Sequence, residues 1–146
     1  RGSLGEATDK LSVAVLEGPP QEVRTLLASG ISPAVLDNRS MNLVFRAVAR
    51  APGQDCEARE ICQMLIEERG LHPEYVDFST WTPLFYAASQ GHVKCTTYLL
   101  AKRCEAQRLD TRRRTPLFFA ARLADPGCAT LLLDAAAIPG HADDRG

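Results

Sequence analysis

No run of apolar residues in this sequence reaches the roughly 18 needed to cross a bilayer as a helix, so no segment reads as a membrane span. No charge of one sign dominates either, since 17 Lys and Arg stand against 18 Asp and Glu, a formal net charge of −1. A dedicated nucleic-acid binder usually carries a strong basic excess, so this balance argues against that class. The first residues lack a basic-then-apolar signal pattern. The five cysteines (Cys56, Cys62, Cys95, Cys104 and Cys128) are odd in number, scattered, and without a Cys-x-x-Cys pair. They fit reduced thiols in a cytoplasmic or nuclear protein better than a disulfide framework. His72, His92 and His141 stand apart from any cysteine cluster of ligand spacing, so no metal is expected. Gly-x-Ser-x-Gly, the phosphate-cradling Gly-x-x-x-x-Gly-Lys loop and His-Glu-x-x-His are all missing. The chain therefore reads as non-catalytic and without a cofactor.

What the sequence does contain is a repeat. Trp81-Thr82-Pro83-Leu84-Phe85-Tyr86-Ala87-Ala88 returns 33 residues later as Arg114-Thr115-Pro116-Leu117-Phe118-Phe119-Ala120-Ala121, with six of the eight positions identical. Weaker copies precede it at Met41–Val48 and at Thr8–Val15. Asp37, Asp77, Asp110 and Asp143 mark the same register at spacings of 40, 33 and 33, and Pro33, Pro73 and Pro139 fit it too. A period near 33 residues means stacked supersecondary units that share a strip of core between neighbours. The register divides the chain into units at about 4–36, 37–76, 77–109 and 110–142, within one domain spanning 1–146.

Thr-Pro-Leu-x-x-Ala-Ala, followed by Gly91-His92-Val93 and the apolar run Tyr98-Leu99-Leu100, resembles the ankyrin repeat. The resemblance is sharp in the third unit, good in the fourth, and carried by spacing in the first two. It implies an all-α solenoid in which each unit is a β-turn plus two antiparallel helices. It also implies a polar N-terminal capping unit over Leu11–Ser32. The sequence departs from the family pattern in three ways. Phe45, Phe85 and Phe118 stand where the family usually places a histidine that links neighbouring turns by hydrogen bonds. With Tyr86 and Phe119 they are expected to form a stacked apolar ladder inside the core. Arg103 and Arg113 stand where the family prefers glycine.

Helical spacing predicts pairs at Asp9–Leu16 and Gln21–Ala28, then Leu43–Arg50 and Glu57–Glu68, with Gly30 closing the second helix. Thr82 and Thr115 are placed to N-cap helices that open on Pro83 and Pro116, and the paired helices open near Val93 and Pro126-Gly127. The second unit is irregular. Counting back from Gly70 leaves six extra residues between its helices, around 51–56, and one more near the end of the second helix. Such an insertion is either a functional loop or tolerated drift, because extra loop residues cost little closure entropy. The fourth unit has no fifth to cover it, which suggests a piece of a longer protein, or an end closed by a partner or second copy.

In ankyrin stacks, hairpin tips and the ends of inner helices line a concave groove. The resemblance places there Asn38, Arg39 and Met41, then Phe78, Ser79 and Trp81, then Thr111, Arg112 and Arg114. The inner-helix ends add Ala49 and Arg50, Ser89 and Gln90, and Arg122 and Leu123. Arg39, Met41, Arg50, Phe78, Ser79, Trp81, Gln90, Arg112, Arg114 and Arg122 form the candidate partner-binding set. Aromatic and arginine anchors dominate interface energies, so the set suits a protein or peptide carrying an apolar anchor beside acidic residues. For Trp81 the competing expectation is packing on the neighbouring hairpin; for Arg112-Arg113-Arg114 it is a solvated tip. Two other functions stay open: a regulatory or targeting part of a larger enzyme, channel or ligase, and an anion or nucleic-acid contact through Arg103, Arg108, Arg112, Arg113 and Arg114.

Overall fold

The computed structural model describes the backbone of residues 2–37 and 40–136. The expectations resting on Asn38, Arg39, Pro139, His141 and Asp143 lie outside these residues. Among the described residues there are eight α-helices, one π-helical turn and no strand. The helices come in pairs: α1 (Gly2–Glu17) with α2 (Pro20–Ala28), α3 (Leu43–Val48) with α4 (Asp55–Gln63), α5 (Pro83–Gln90) with α6 (Val93–Ala101), and α7 (Pro116–Ala120) with α8 (Gly127–Ala136). Helices α1, α3, α5 and α7 pack in one row, α2, α4, α6 and α8 in a second, and each pair bridges the rows. The core is the strip between them, where Leu11, Val23, Leu43, Ile61, Leu65, Leu84, Cys95, Leu99 and Leu132 are buried.

The recurrent aspartates explain the turns that join the pairs. The carboxylates of Asp37, Asp77 and Asp110 each accept from the backbone N–H four residues on, at Met41, Trp81 and Arg114. The aspartate N–H in turn donates to the carbonyl of that same residue, which closes a tight loop. Each loop carries one residue in the left-handed region, at Ser40 (φ 63°), Thr80 (φ 61°) and Arg113 (φ 61°). None is glycine, and an L-residue held there stores about 1 kcal/mol or more of strain. Arg103 (φ 66°) does the same after α6, where Cys104 N–H reaches back to the Leu99 carbonyl at 3.1 Å. At Gly91 glycine avoids the same strain: φ is 76°, and a Cβ would press on Leu123 Cδ1 at 3.3 Å.

The insertion in the second unit has a structural resolution. Sixteen positions separate Phe45 from Ile61, where ten separate Phe85 from Cys95. The six additional residues form the loop Ala51–Gln54 and an extra opening turn on α4, which begins at Asp55 rather than Glu57. Asp55 Oδ2 and Oδ1 accept from the backbone N–H groups of Lys94 (2.7 Å) and Cys95 (3.1 Å). The insertion therefore caps α6, the helix of the next pair, whose own N-cap residue His92 makes no side-chain capping bond. The seventh extra residue becomes a π turn at Met64–Glu68, the usual way a helix absorbs a single insertion without breaking.

Three local expectations need correction. Thr82 occupies the N-cap position of α5 but its side chain makes no capping bond; the residue is buried and Oγ1 has no partner. Phe85, which replaces the family histidine, cannot supply one. Thr115 likewise caps without its side chain. The expected stacked ladder is instead a set of offset contacts: Phe45 meets Tyr86, Trp81 stacks on Phe85, and Phe119 touches both Trp81 and Phe85. Phe45 and Phe85 are fully buried, but Phe118 is 44 % exposed, because no helix pair stacks over α7 among the described residues.

Leu99 is fully buried on α6. Leu99→Ala is expected to lower stability by about 2–5 kcal/mol in urea denaturation, through the cavity it leaves. A loss under about 0.5 kcal/mol would place this helix face on the surface instead.

Candidate functional site

The hairpin tips of the third and fourth units lie side by side. Thr111 N–H donates to the Ser79 carbonyl at 3.3 Å, and the Trp81 indole N–H donates to Asp110 Oδ2 at 3.0 Å. On this paired ledge Phe78 is 74 % exposed, the largest exposure among the big apolar residues described. Phe78, Ser79, Asp77 and Tyr86 line a cleft of about 340 Å³. Thr111, Arg112 and Arg113 are exposed on the adjoining tip. Behind them the exposed ring of Phe118 is flanked by Arg114 and Arg122, each with its guanidinium carbon 5.7 Å from the ring centroid. The Phe118 ring is thus an apolar face rimmed by cations.

The candidate residues divide by what they already do. Phe78, Ser79, Arg112 and Arg122 reach the surface of the ledge. Trp81 is largely committed inward. Its ring lies 5.4 Å from Phe85 at 17°, 4.9 Å from Tyr86 and 4.6 Å from Phe119, and its N–H is held by Asp110. Arg114 is held twice, by Asp110 Oδ2 at 2.9 Å and over the Phe119 ring at 4.8 Å. This removes one member of the proposed Arg103–Arg114 anion cluster from ready use. Gln90 is half-buried and donates to the Ala49 carbonyl at 3.4 Å. Met41 lies apart, in a cleft of about 290 Å³ with Asp9, Ser12, Leu36 and Arg46.

Arg50 is a correction. It is 2 % exposed, and Nη1 donates to the Val15 carbonyl in the last turn of α1 at 2.8 Å. Its own carbonyl accepts from His92 Nε2 at 2.8 Å. Arg50 is thus an internal strut joining the first three helix pairs, and its side chain is out of a partner's reach. Burial pulls its pKa down from the ordinary arginine value, and Glu57 pulls in the opposite direction. The six-residue insertion begins directly after it, so the chain does not turn as it does after Gln90.

Asp110 is the electrostatic centre of the ledge. Oδ1 accepts from the N–H groups of Arg112 and Arg114, both at 2.8 Å, and Oδ2 from Trp81 and the Arg114 guanidinium. Burial alone would raise its pKa, but these bonds together outweigh it and hold the carboxyl below the usual range. The equivalent Asp77 accepts the Tyr86 hydroxyl at 2.8 Å. Tyr86 is a ledge residue that the sequence reading assigned to the core alone. The available signal was its polar tip at a register position where the family has leucine.

No helix among the described residues is long and apolar enough to cross a membrane. No curated protein matches the chain. The family model for ankyrin repeats (3 copies) matches residues 11–110 and, in a second overlapping match, 51–143. Together these matches span the paired helices, the aspartate-closed turns and the Thr-Pro-Leu segments described above, and the chain belongs to the ankyrin-repeat family.

Proposed function

We propose that the chain binds a partner protein through the concave side of its stack, taking an extended acidic segment whose apolar residue seats against Phe78. Ankyrin repeats generally mediate protein–protein interaction. The observation that carries the finer reading is the exposed Phe78 on a tip hydrogen-bonded to the arginine-bearing tip beside it. An exposed aromatic on a turn next to an arginine-bearing turn brings together the residue types that dominate interface energies. Arg112 and Arg122 would steer and orient the acidic segment, while Phe78 would supply most of the buried apolar area.

A peptide-display selection on the folded chain tests this. Enriched sequences should carry Asp or Glu beside one aromatic or aliphatic residue. Affinity for them should fall about tenfold or more in Phe78→Ser/Arg112→Glu, the loss expected for an interface anchor. Neither side chain contributes to the core, so circular dichroism and melting should match the parent. Enrichment of basic or featureless sequences, or affinity unmoved by the double substitution, would exclude this surface.

A further inference from the structure

The α7–α8 pair leaves one face uncovered among the described residues. Phe118, Ala121 and Leu133 stand 33 residues after Phe85, Ala88 and Leu100. In the third unit Phe85 and Ala88 are fully buried, because α7 packs on α5 and α8 on α6. In the fourth unit the same register positions meet solvent: Phe118 is 44 % exposed, Leu133 is 55 % exposed, and Ala121 is exposed too. The face is therefore built as a packing surface.

The charges around it are sorted by helix. Arg114, just ahead of α7, and Arg122, shortly beyond it, both flank the Phe118 ring. The carboxylates belong to α8. Asp125 lies just ahead of it, with Oδ1 accepting from the Gly127 N–H at 2.9 Å, and the exposed Asp134 is in its last turn. The short connection 121–126 makes α7 and α8 antiparallel neighbours. Phe118, in the first turn of α7, and Leu133, in the last turn of α8, thus share one end of the pair with Arg114 and Asp134. Arg122 and Asp125 share the other end. One side of the face carries a cation at each end, and the other side a carboxylate at each end.

We propose that this face pairs with the same face of a second copy, about a two-fold axis parallel to α7 and α8. That operation lays α7 of each chain on α8 of the other. Phe118 meets Leu133 of the second copy, Arg122 meets its Asp125, and Arg114 lies toward its Asp134. Symmetry makes every contact twice. A two-fold axis across the helices would instead set α7 on α7, with arginine over arginine, and like charges facing each other disfavour it. Apolar side chains inside a charged rim are the ordinary anatomy of an interface. Such a pairing is self-complementary and closes at two chains, whereas head-to-tail stacking would continue into a filament. Arg114 remains bound to its own Asp110 through Nε, so the contact of Arg122 with Asp125 is the one to probe.

Sedimentation equilibrium of the folded 146-residue chain over a wide range of concentration tests this, with no peptide present, so the result does not depend on the Phe78 ledge. A monomer–dimer equilibrium ending at twice the chain mass is expected. Leu133→Asp sets a carboxylate on the apolar part of an exposed face and should leave a monomer at the same concentrations. The charge arrangement is read by mixing. Arg122→Glu alone and Asp125→Lys alone should each dimerise roughly tenfold more weakly, as for two exposed ion pairs lost from a symmetric interface. An equimolar mixture of the two should dimerise as the parent does, because opposite charges then meet at both contacts. Circular dichroism checks that each variant folds, above all Asp125→Lys, which gives up the bond to Gly127; the Leu133→Asp result stands without it. A parent that is monomeric at every concentration, association beyond two chains, a dimer that survives Leu133→Asp, or a mixture of folded variants no better paired than its components overturns the proposal.

Discussion

Replacing Trp81 with alanine is expected to destabilise the protein by about 3–5 kcal/mol, the range for truncating a packed aromatic. The ring touches Phe85, Tyr86 and Phe119, which belong to two successive helix pairs. Its N–H bonds Asp110, so the substitution removes both an apolar wedge and a polar link between the same two turns. In a stack stabilised by nearest-neighbour interfaces, a loss at one interface weakens the coupling across it. Urea unfolding of Trp81→Ala should therefore broaden as well as shift, with the α7–α8 pair released before the rest. Trp81→Phe keeps most of the stacking but loses the donor, and should cost about 1.5–3 kcal/mol, as for one hydrogen bond to a charged group. A loss below about 1 kcal/mol in Trp81→Ala would mean that the ring contributes little to this interface. The same geometry makes Trp81 a poor residue with which to probe partner binding. A binding defect in its variants would be confounded with loosening of the ledge that Phe78 and Arg112 occupy.

The parts of this structure legible in the sequence are those set by local chemistry repeated at a fixed offset. The aspartates at 37, 77 and 110 recur because each closes its turn by accepting from the backbone N–H four residues on, and that demand leaves the same letter in each unit. The prolines opening α5 and α7 recur because the first helical position tolerates a missing N–H. The count of extra residues in the second unit was also readable; what they do was not. Asp55 caps a helix 39 residues further along, and nothing in the local pattern names a partner at that distance. Arg50 occupies a position that in the third unit, at Gln90, is only half-buried, so the register alone suggests the surface. Its burial follows from α1 ending beside it and from the chain diverging into the insertion. Phe118 was misassigned for the opposite reason. Its register position is a core position only where another pair stacks over it, and none does among the described residues. Of the candidate binding residues, the reading recovered the exposed tips but could not separate Arg112, which is exposed, from Arg114, which Asp110 and Phe119 hold.

That distinction leads to the second large effect. Asp110→Ala is expected to cost about 2–4 kcal/mol, because one buried carboxylate accepts from several turn and side-chain donors at once. Alanine would leave the Arg112 N–H, the Trp81 indole and the Arg114 guanidinium without their acceptor at one stroke. The ledge should loosen with it, since Arg114 would no longer be held against Phe119. The wild-type carboxyl also makes the effect depend on pH. Its pKa is lower folded than unfolded, so between the two the native state binds fewer protons and stability rises with pH. The contribution is fully present above the unfolded value of about 3.9 and is lost as pH falls through the folded one. Acid unfolding followed by circular dichroism should thus converge for wild type and Asp110→Asn at the acid end, separate as pH rises through the folded pKa, and keep a constant gap above roughly pH 4. The asparagine keeps an acceptor for the turn N–H groups but turns an amide toward donors that expect an anion, so it should lie between wild type and alanine. Parallel acid profiles for the two proteins, or an Asp110→Ala loss under about 1 kcal/mol, would show that the turn closes without this carboxylate and that the ledge takes its shape from aromatic stacking alone.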